Sequence, residues 1–272
     1  MATLSSDLRI NIGRLSDRLA ALAEIGAIEG TEGCARLALT DEDKAGRDLV
    51  VSWMRDLNLT ITVDSIGNVV GVMDGEHDGQ PVMTGSHIDT VRTGGRYDGN
   101  LGVLAGLEVI ETLRAAGITT PRGLAVAFFT DEEGARFPPD MLGSLVYVGG
   151  MSVEEAHAIE GIDGATVGGE LDRIGYLGPA PLPAPAPHAF VELHVEQGPV
   201  LEAEELTIGA VTGVQGISWT EVSVTGQSNH AGTTPMALRK DPAVVAFRTA
   251  AFVRELADEL GAPQVATVGR MH

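Results

Sequence analysis

Two stretches decide the fold: residues 81–89, PVMTGSHID, and residues 123–134, GLAVAFFTDEEG. Each begins as a short apolar run, too short for an amphipathic helix and of the kind that forms a buried strand. Each runs directly into titratable side chains, His87 and Asp89 after the first and Asp131, Glu132 and Glu133 after the second. Between them, residues 100–116 carry Leu104, Leu107, Ile110 and Leu113 at helical spacing. Strand, helix and strand in that order, with acids and histidines at the strand ends, predict an α/β sheet whose site lies at the strand termini.

Working outward, Leu8, Ile12, Leu15, Leu19 and Leu22 predict an amphipathic helix over residues 4–28. Thr40 followed by Asp41, Glu42 and Asp43 reads as an N-cap with an acidic first turn, opening a helix through residue 57. Residues 59–63 and 68–73 flank the turn DSIG at 64–67 and read as a hairpin. The stretch GPAPLPAPAP at 178–187 is a spacer, because proline cannot donate to a ladder. Beyond it, strands are expected at 190–195 and 206–212, with a hinge at 211–216. A strand at 219–225, a helix at 241–260 and a strand at 264–268 then begin a small α+β unit. The domains expected are 1–212 and 213–272.

Composition narrows the function. The 272 residues are 44% apolar, enough for a substantial core. Eighteen Lys and Arg against 38 Asp and Glu give a net charge of -20, which excludes a phosphate-neutralising surface for nucleic acid. Cys34 stands alone, so an intrachain disulfide and a Cys-rich zinc cluster are both excluded, and a metal must use His, Asp and Glu. The longest apolar run is far shorter than a membrane span, and Asp7 and Arg9 sit where a leader would turn apolar. A cytoplasmic protein with a small-molecule partner and no membrane contact is the expectation.

Four glycine-bounded stretches hold the suggestive side chains: GSHIDT at 85–90, GGRYDGN at 94–100, TDEEG at 130–134 and ELHVEQG at 192–198. Side chains from different strand ends can converge, and these types suit a borderline cation such as zinc. His87 has Asp89 two residues on, a carboxylate able to orient a ligating ring. Adjacent Glu132 and Glu133 can divide labour, one on the metal and one free as a base.

On these stretches the chain resembles the hydantoinase/carbamoylase amidases, which are related to dinuclear-metal aminopeptidase-like peptidases. The resemblance runs through RLALTD at 36–41, Trp53 and Met54, Gly67 and Asn68, and GSHIDTVRTGGRYDGNLGVLAG at 85–106. It continues through TDEEGARF at 130–137, ELHVEQGPVLE at 192–202 and NHAGTTPM at 229–236. It implies an aminopeptidase-like α/β metallohydrolase domain with a partial ferredoxin-like lid that dimerises. It also implies two divalent ions, zinc first, with manganese, cobalt or nickel as alternatives. Asp98 bridges them, His87 and His194 complete one site, Glu133 binds the other and Glu132 is the general base. Gln197 then contacts the substrate carboxylate, His230 stabilises the oxyanion, from the neighbouring subunit in family dimers, and Gln215 lines the hinge.

The activity so implied is hydrolysis of a linear amide or ureido C–N bond, above all in an N-carbamoyl-L-amino acid. Alternatives are a dipeptidase or N-acyl amino acid hydrolase on the same scaffold, or a non-catalytic binding protein. Sibling peptidases usually carry a carboxylate where His194 stands and lack the HAGTTPM form, and a pure binder has no need of Glu132. The family's fifth metal ligand, a histidine, and an Asn and Arg that grip the substrate carboxylate have no counterpart in these residues, and His272 is not assigned that role. The resemblance therefore implies the front two-thirds of a family member, expected by itself to hold its second metal weakly and to show no measurable amidohydrolase activity.

Overall fold

The computed structural model describes residues 8–272, so residues 4–7 of the expected first helix lie outside the described residues. Helix α1 spans Ile12–Ala23, shorter than expected, because Asn11 caps it by accepting from the Arg14 N–H. Leu8 precedes the helix, while Leu15, Leu19 and Leu22 form its buried stripe. Helix α2 (Asp41–Asp56) starts where expected, with the Thr40 hydroxyl accepting from the Asp43 N–H at 3.3 Å. Strands β1 (Thr60–Val63) and β2 (Val69–Met73) form the expected antiparallel hairpin. Strand β3 (Val82–His87), helix α3 (Asn100–Ala115) and strand β4 (Leu124–Phe129) then follow as read from the two decisive stretches.

Three short helices, α4 (Leu142–Tyr147), α5 (Val153–His157) and α6 (Val167–Ile174), fill a region for which the sequence suggested no element. The first two are too short to show a periodic stripe, whereas Val167, Leu171 and Ile174 form one along α6. Strand β5 (Ala189–Val191) covers only the first two residues of the strand expected at 190–195. Beyond Val191 the chain leaves the ladder and lies against α3, where a Cβ on Gly102 would stand 2.6 Å from the Leu193 carbonyl oxygen. A single turn, α7 (Val200–Ala203), follows.

The sheet order is β1-β2-β4-β3-β5, with β2 antiparallel to β4 and β3 parallel to both β4 and β5. One face packs Val69, Val126 and Phe128 against α1, α2 and α3 through Leu22, Met54, Leu104 and Leu107. The other face is thinner, with Met83, Ala125 and Ala127 under Tyr147 of α4. It is a mixed α/β fold.

The chain divides into two compact units, Met1–Ile208 and Gly209–His272. In the second, helix α8 (Pro242–Leu260) forms as expected, capped by Asp241 accepting from the Ala243 N–H. The strands expected at 206–212, 219–225 and 264–268 do not form. Their alternating apolar residues suit extended backbone, but a strand exists only with a hydrogen-bonded neighbour. Among the described residues of this unit only the bridge Gln227 with Lys240 supplies one.

Buried arginines tie the first unit's loops to its core. Arg36, fully buried, donates to the carbonyls of Leu22, Ile25 and Ile88 and to the Asn100 side chain, so one guanidinium joins the end of α1, the turn after β3 and the start of α3. Arg47 pairs with Asp43 at 2.7 Å and donates to the Gly67 carbonyl, lying over Phe128 and Tyr176. Replacing Arg36 by Met removes at once the guanidinium donor to three carbonyls and to Asn100 Oδ1, the Ile88 carbonyl losing its partner outright, so a loss on the order of 3 kcal/mol or more is expected in urea denaturation. Arg55→Met on an exposed turn of α2 should change stability by only about 0.5 kcal/mol or less.

Candidate metal centre

The strand register brings the histidines together. Strand β3 pairs with β5 from Val82 with Ala189 to Thr84 with Val191, and the chain that leaves β5 at that edge carries His194 to a place beside His87. The two rings lie 6.1 Å apart between centroids. On the other side His87 pairs with Phe129, which places residues 131–133 just past the same sheet edge as Asp89. Asp98 arrives from the loop before α3, held as its carbonyl accepts from the Asn100 N–H at 2.6 Å. Gly99, at φ 63°, makes the turn between them, and a Cβ there would stand 2.5 Å from the His87 ring.

His87, Asp98 and His194 form the one cluster among the described residues whose donor atoms could share a metal ion, all within 4.8 Å of one another. His194 Nε2 is 3.2 Å from Asp98 Oδ1, and His87 Nε2 is 3.8 Å from the same oxygen and 3.4 Å from Glu132 Oε2. The far nitrogen of each ring faces a carbonyl: His87 Nδ1 lies 2.9 Å from the Asp89 oxygen and His194 Nδ1 2.8 Å from that of Val195. A carbonyl only accepts, so each neutral ring carries its proton on Nδ1 and turns an Nε2 lone pair toward Asp98. Two lone pairs and a carboxylate facing one another repel unless a cation sits among them. The donor set and spacing fit a divalent metal ion.

The electrostatics follow from that crowding. Burial pulls the His87 pKa down, but the charges of Asp89, Glu132 and Asp98 prevail and raise it. Burial raises Glu132, and the carboxylates of Asp89, Asp98 and Glu192 add to the effect against His87. Burial, with the charges of Asp98, Asp89 and Glu132, pushes Glu133 up to about 7 against His87. Asp131, fully buried in the left-handed backbone region, is pushed up to about 9 by burial and by Asp89.

The other expected site residues stand around this cluster or in the second unit. Asp89 orients His87 through its backbone carbonyl; its carboxylate, 3.8 Å from Nδ1, instead accepts from the N–H groups of Glu132 and Glu133 at 3.2 and 3.3 Å. The acid near His87 Nε2 is Glu132, whereas Glu133 stands outside the compact set of donors. Gln197 donates to Asp98 Oδ2. In the second unit Gln215 donates to the Pro263 carbonyl at 3.2 Å, and His230 caps its own turn. The roles of Gly99 and Arg36 appear only in the structure, the glycine directly after Asp98 being the one signal in the sequence.

Residues 83–270 match the model of peptidase family M20/M25/M40. The chain belongs to that family. Among its M20 relatives, the N-carbamoyl-L-amino-acid amidohydrolase of Rhizobium meliloti is 42% identical over all of this chain and 65% of its own length. The ureidoglycolate hydrolase of Arabidopsis thaliana is 33% identical over 98% of this chain and 58% of its own. A crystal structure of a hydantoinase/carbamoylase family amidase from Burkholderia vietnamiensis superposes with a TM-score of 0.84 at 43% identity, covering 99% of this chain and 65% of that one. The chain thus spans somewhat under two-thirds of the length of these relatives.

Two outcomes are expected. Gly99→Ala forces a Cβ into the His87 ring at a left-handed position, so zinc affinity by calorimetry should fall about 10- to 100-fold with helix content unchanged. Glu133 holds its proton more tightly folded than unfolded, so its contribution to stability is complete below about 4.5, the ordinary glutamate pKa, and is lost as pH rises through about 7. In the metal-free protein, Glu133→Gln should therefore flatten the loss of thermal stability between those two pH values.

Proposed function

We propose that the natural polypeptide carrying these residues is a metal-dependent amidohydrolase that cleaves a linear ureido or amide C–N bond, with N-carbamoyl-L-amino acids as substrate class. The observation that carries this reading is the convergence of two Nε2 lone pairs on Asp98 with the half-buried Glu132 carboxylate beside them. The relatives from Rhizobium meliloti and Geobacillus stearothermophilus, at 42% and 41% identity, both named as amidohydrolases of N-carbamoyl-L-amino acids, support the substrate class.

His87, Asp98 and His194 would hold one divalent ion, and Asp98 with Glu133 would contribute to a second, zinc being the first choice and manganese, cobalt or nickel the others. Such ions supply Lewis acidity, acidifying water and polarising the carbonyl oxygen. Glu132 is about one-third exposed, open to a water molecule on one side and to His87 on the other. Its raised pKa suits a group that accepts a proton from water and returns it to the leaving nitrogen. Water adds to the carbonyl carbon, the C–N bond to the amino acid breaks to release it, and the carbamate left behind decays to ammonia and carbon dioxide by loss of its second C–N bond.

Gln197 and Gln215 are assigned to the substrate and His230 to the developing oxyanion. The exposed Val245, Phe247, Phe252 and Leu256 of α8 support a homodimer through the second unit. The free, buried Cys34 agrees with a reducing cytoplasm. No helix among the described residues is long and apolar enough to cross a membrane.

The test is ammonia release by the polypeptide at its full natural length from N-carbamoyl-L-amino acids, N-carbamoyl-β-alanine and allantoate. Turnover of the first class is expected, with kcat falling about 100- to 10,000-fold in Glu132→Gln while metal binding is retained. Activity of that variant within tenfold of the parent contradicts the role of Glu132.

A further inference from the structure

His230 sits in the second unit in a loop whose hydrogen bonds fix the ring. Its Nδ1 lies 3.1 Å from the backbone nitrogens of both Gly232 and Thr233. Both nitrogens donate, so Nδ1 accepts and the neutral ring carries its proton on Nε2, on the edge away from the turn. This is the opposite tautomer to His87 and His194, whose Nδ1 atoms face carbonyls and whose Nε2 atoms are lone pairs. One chain thus presents two kinds of histidine, acceptors toward a cation and a donor toward an anion.

The turn that supplies the two N–H groups is gripped by a single side chain. Arg239 donates from Nε to the Thr234 carbonyl at 3.0 Å and from Nη2 to the Ala231 carbonyl at 2.5 Å. The two carbonyls bracket Gly232 and Thr233, so the guanidinium sets the direction in which their N–H groups point. Arg239 is itself anchored between the short 3-10 turn Met236–Leu238 and the bridge from Lys240 to Gln227 that leads into α8. A planar fork can hold two carbonyls at a fixed separation, which an ammonium cannot do.

We propose that Arg239 is a positioning residue that, through the turn at 231–234, locks His230 as an Nε2–H donor. The proposal rests on the reading of His230 as the oxyanion contact: a fixed donor stabilises an oxygen gaining negative charge, whereas a lone pair there would oppose it.

The test uses the 272-residue chain with 15N in its histidine rings. Long-range 1H–15N spectra are recorded at alkaline pH, where the rings are neutral, and the His230 signals are assigned by their loss in His230→Gln. His188, exposed and without a ring hydrogen bond among the described residues, is the internal reference. The Nε2–H to Nδ1–H ratio of His230 is expected to exceed that of His188 at least about tenfold, as two accepted hydrogen bonds require. In Arg239→Lys the ratio should fall to that of His188 with the far-ultraviolet circular dichroism unchanged. Should that variant lose its helix signal, Arg239→Gln, whose amide likewise cannot span both carbonyls, should lower the ratio toward that of His188.

A wild-type ratio equal to that of His188, or an unchanged ratio in the folded Arg239 variants, overturns the proposal. The ratio is read without substrate. A locked tautomer released by the Arg239 substitutions therefore upholds the proposal even if N-carbamoyl-amino acids are not hydrolysed, a result that would count against the functional reading alone.

Discussion

The parallel pairing of β3 with its two neighbours is the constraint on which the site depends. Strand β3 ends at His87, and the registers on its two sides bring His194 and residues 131–133 to the same edge of the sheet. A parallel ladder delivers all its C-terminal ends to one edge, which is where an open α/β sheet binds ligands. Slipping the β3–β5 pairing by one residue would separate the two imidazoles, and slipping the β3–β4 pairing would turn residues 131–133 away from His87. The Asp89 carboxylate, accepting from the N–H groups of Glu132 and Glu133, pins the β4 side of this arrangement beyond the last ladder bond.

Much of this was legible in the sequence because the two decisive runs are unambiguous. Apolar segments ending in His87 and in Asp131, Glu132 and Glu133 announce buried strands with polar termini, and the stripe through Leu104 to Leu113 announces the crossover helix. The caps at Thr40 and Asp241 were equally plain. What was not legible depends on partners distant in the chain. Segments 219–225 and 264–268 have strand composition, yet no ladder forms there, since composition specifies extended backbone and not a neighbour. Helices α4 and α5 are too short to show periodicity, although the capping box of Ser152 and Glu155 marks α5, and the spacing of Val167, Leu171 and Ile174 marks α6.

The site shows the same division. His87, Asp98 and His194 were readable as donors from residue type and from their place at strand ends and glycine turns. The part played by Asp89 was not, because its orienting group is a backbone carbonyl that no side-chain motif encodes. The role of Arg36 is not legible for a related reason: its partners are the Leu22, Ile25 and Ile88 carbonyls and Asn100, contributed by three separate parts of the chain. A buried cation beside the turn after β3 and the start of α3 also keeps His87 and Asp98 at a fixed separation, so scaffold and site share that interaction.

The central claim is that both imidazoles turn Nε2 toward a shared cation while Nδ1 keeps its proton against a carbonyl. Proton spectra of the protein loaded with cobalt(II) test it most directly, because a ligated imidazole shows a hyperfine-shifted exchangeable N–H. Two such signals are expected, one lost in His87→Ala and the other in His194→Ala. Cobalt binding that leaves no shifted imidazole N–H, or shifted signals that survive both substitutions, would contradict it.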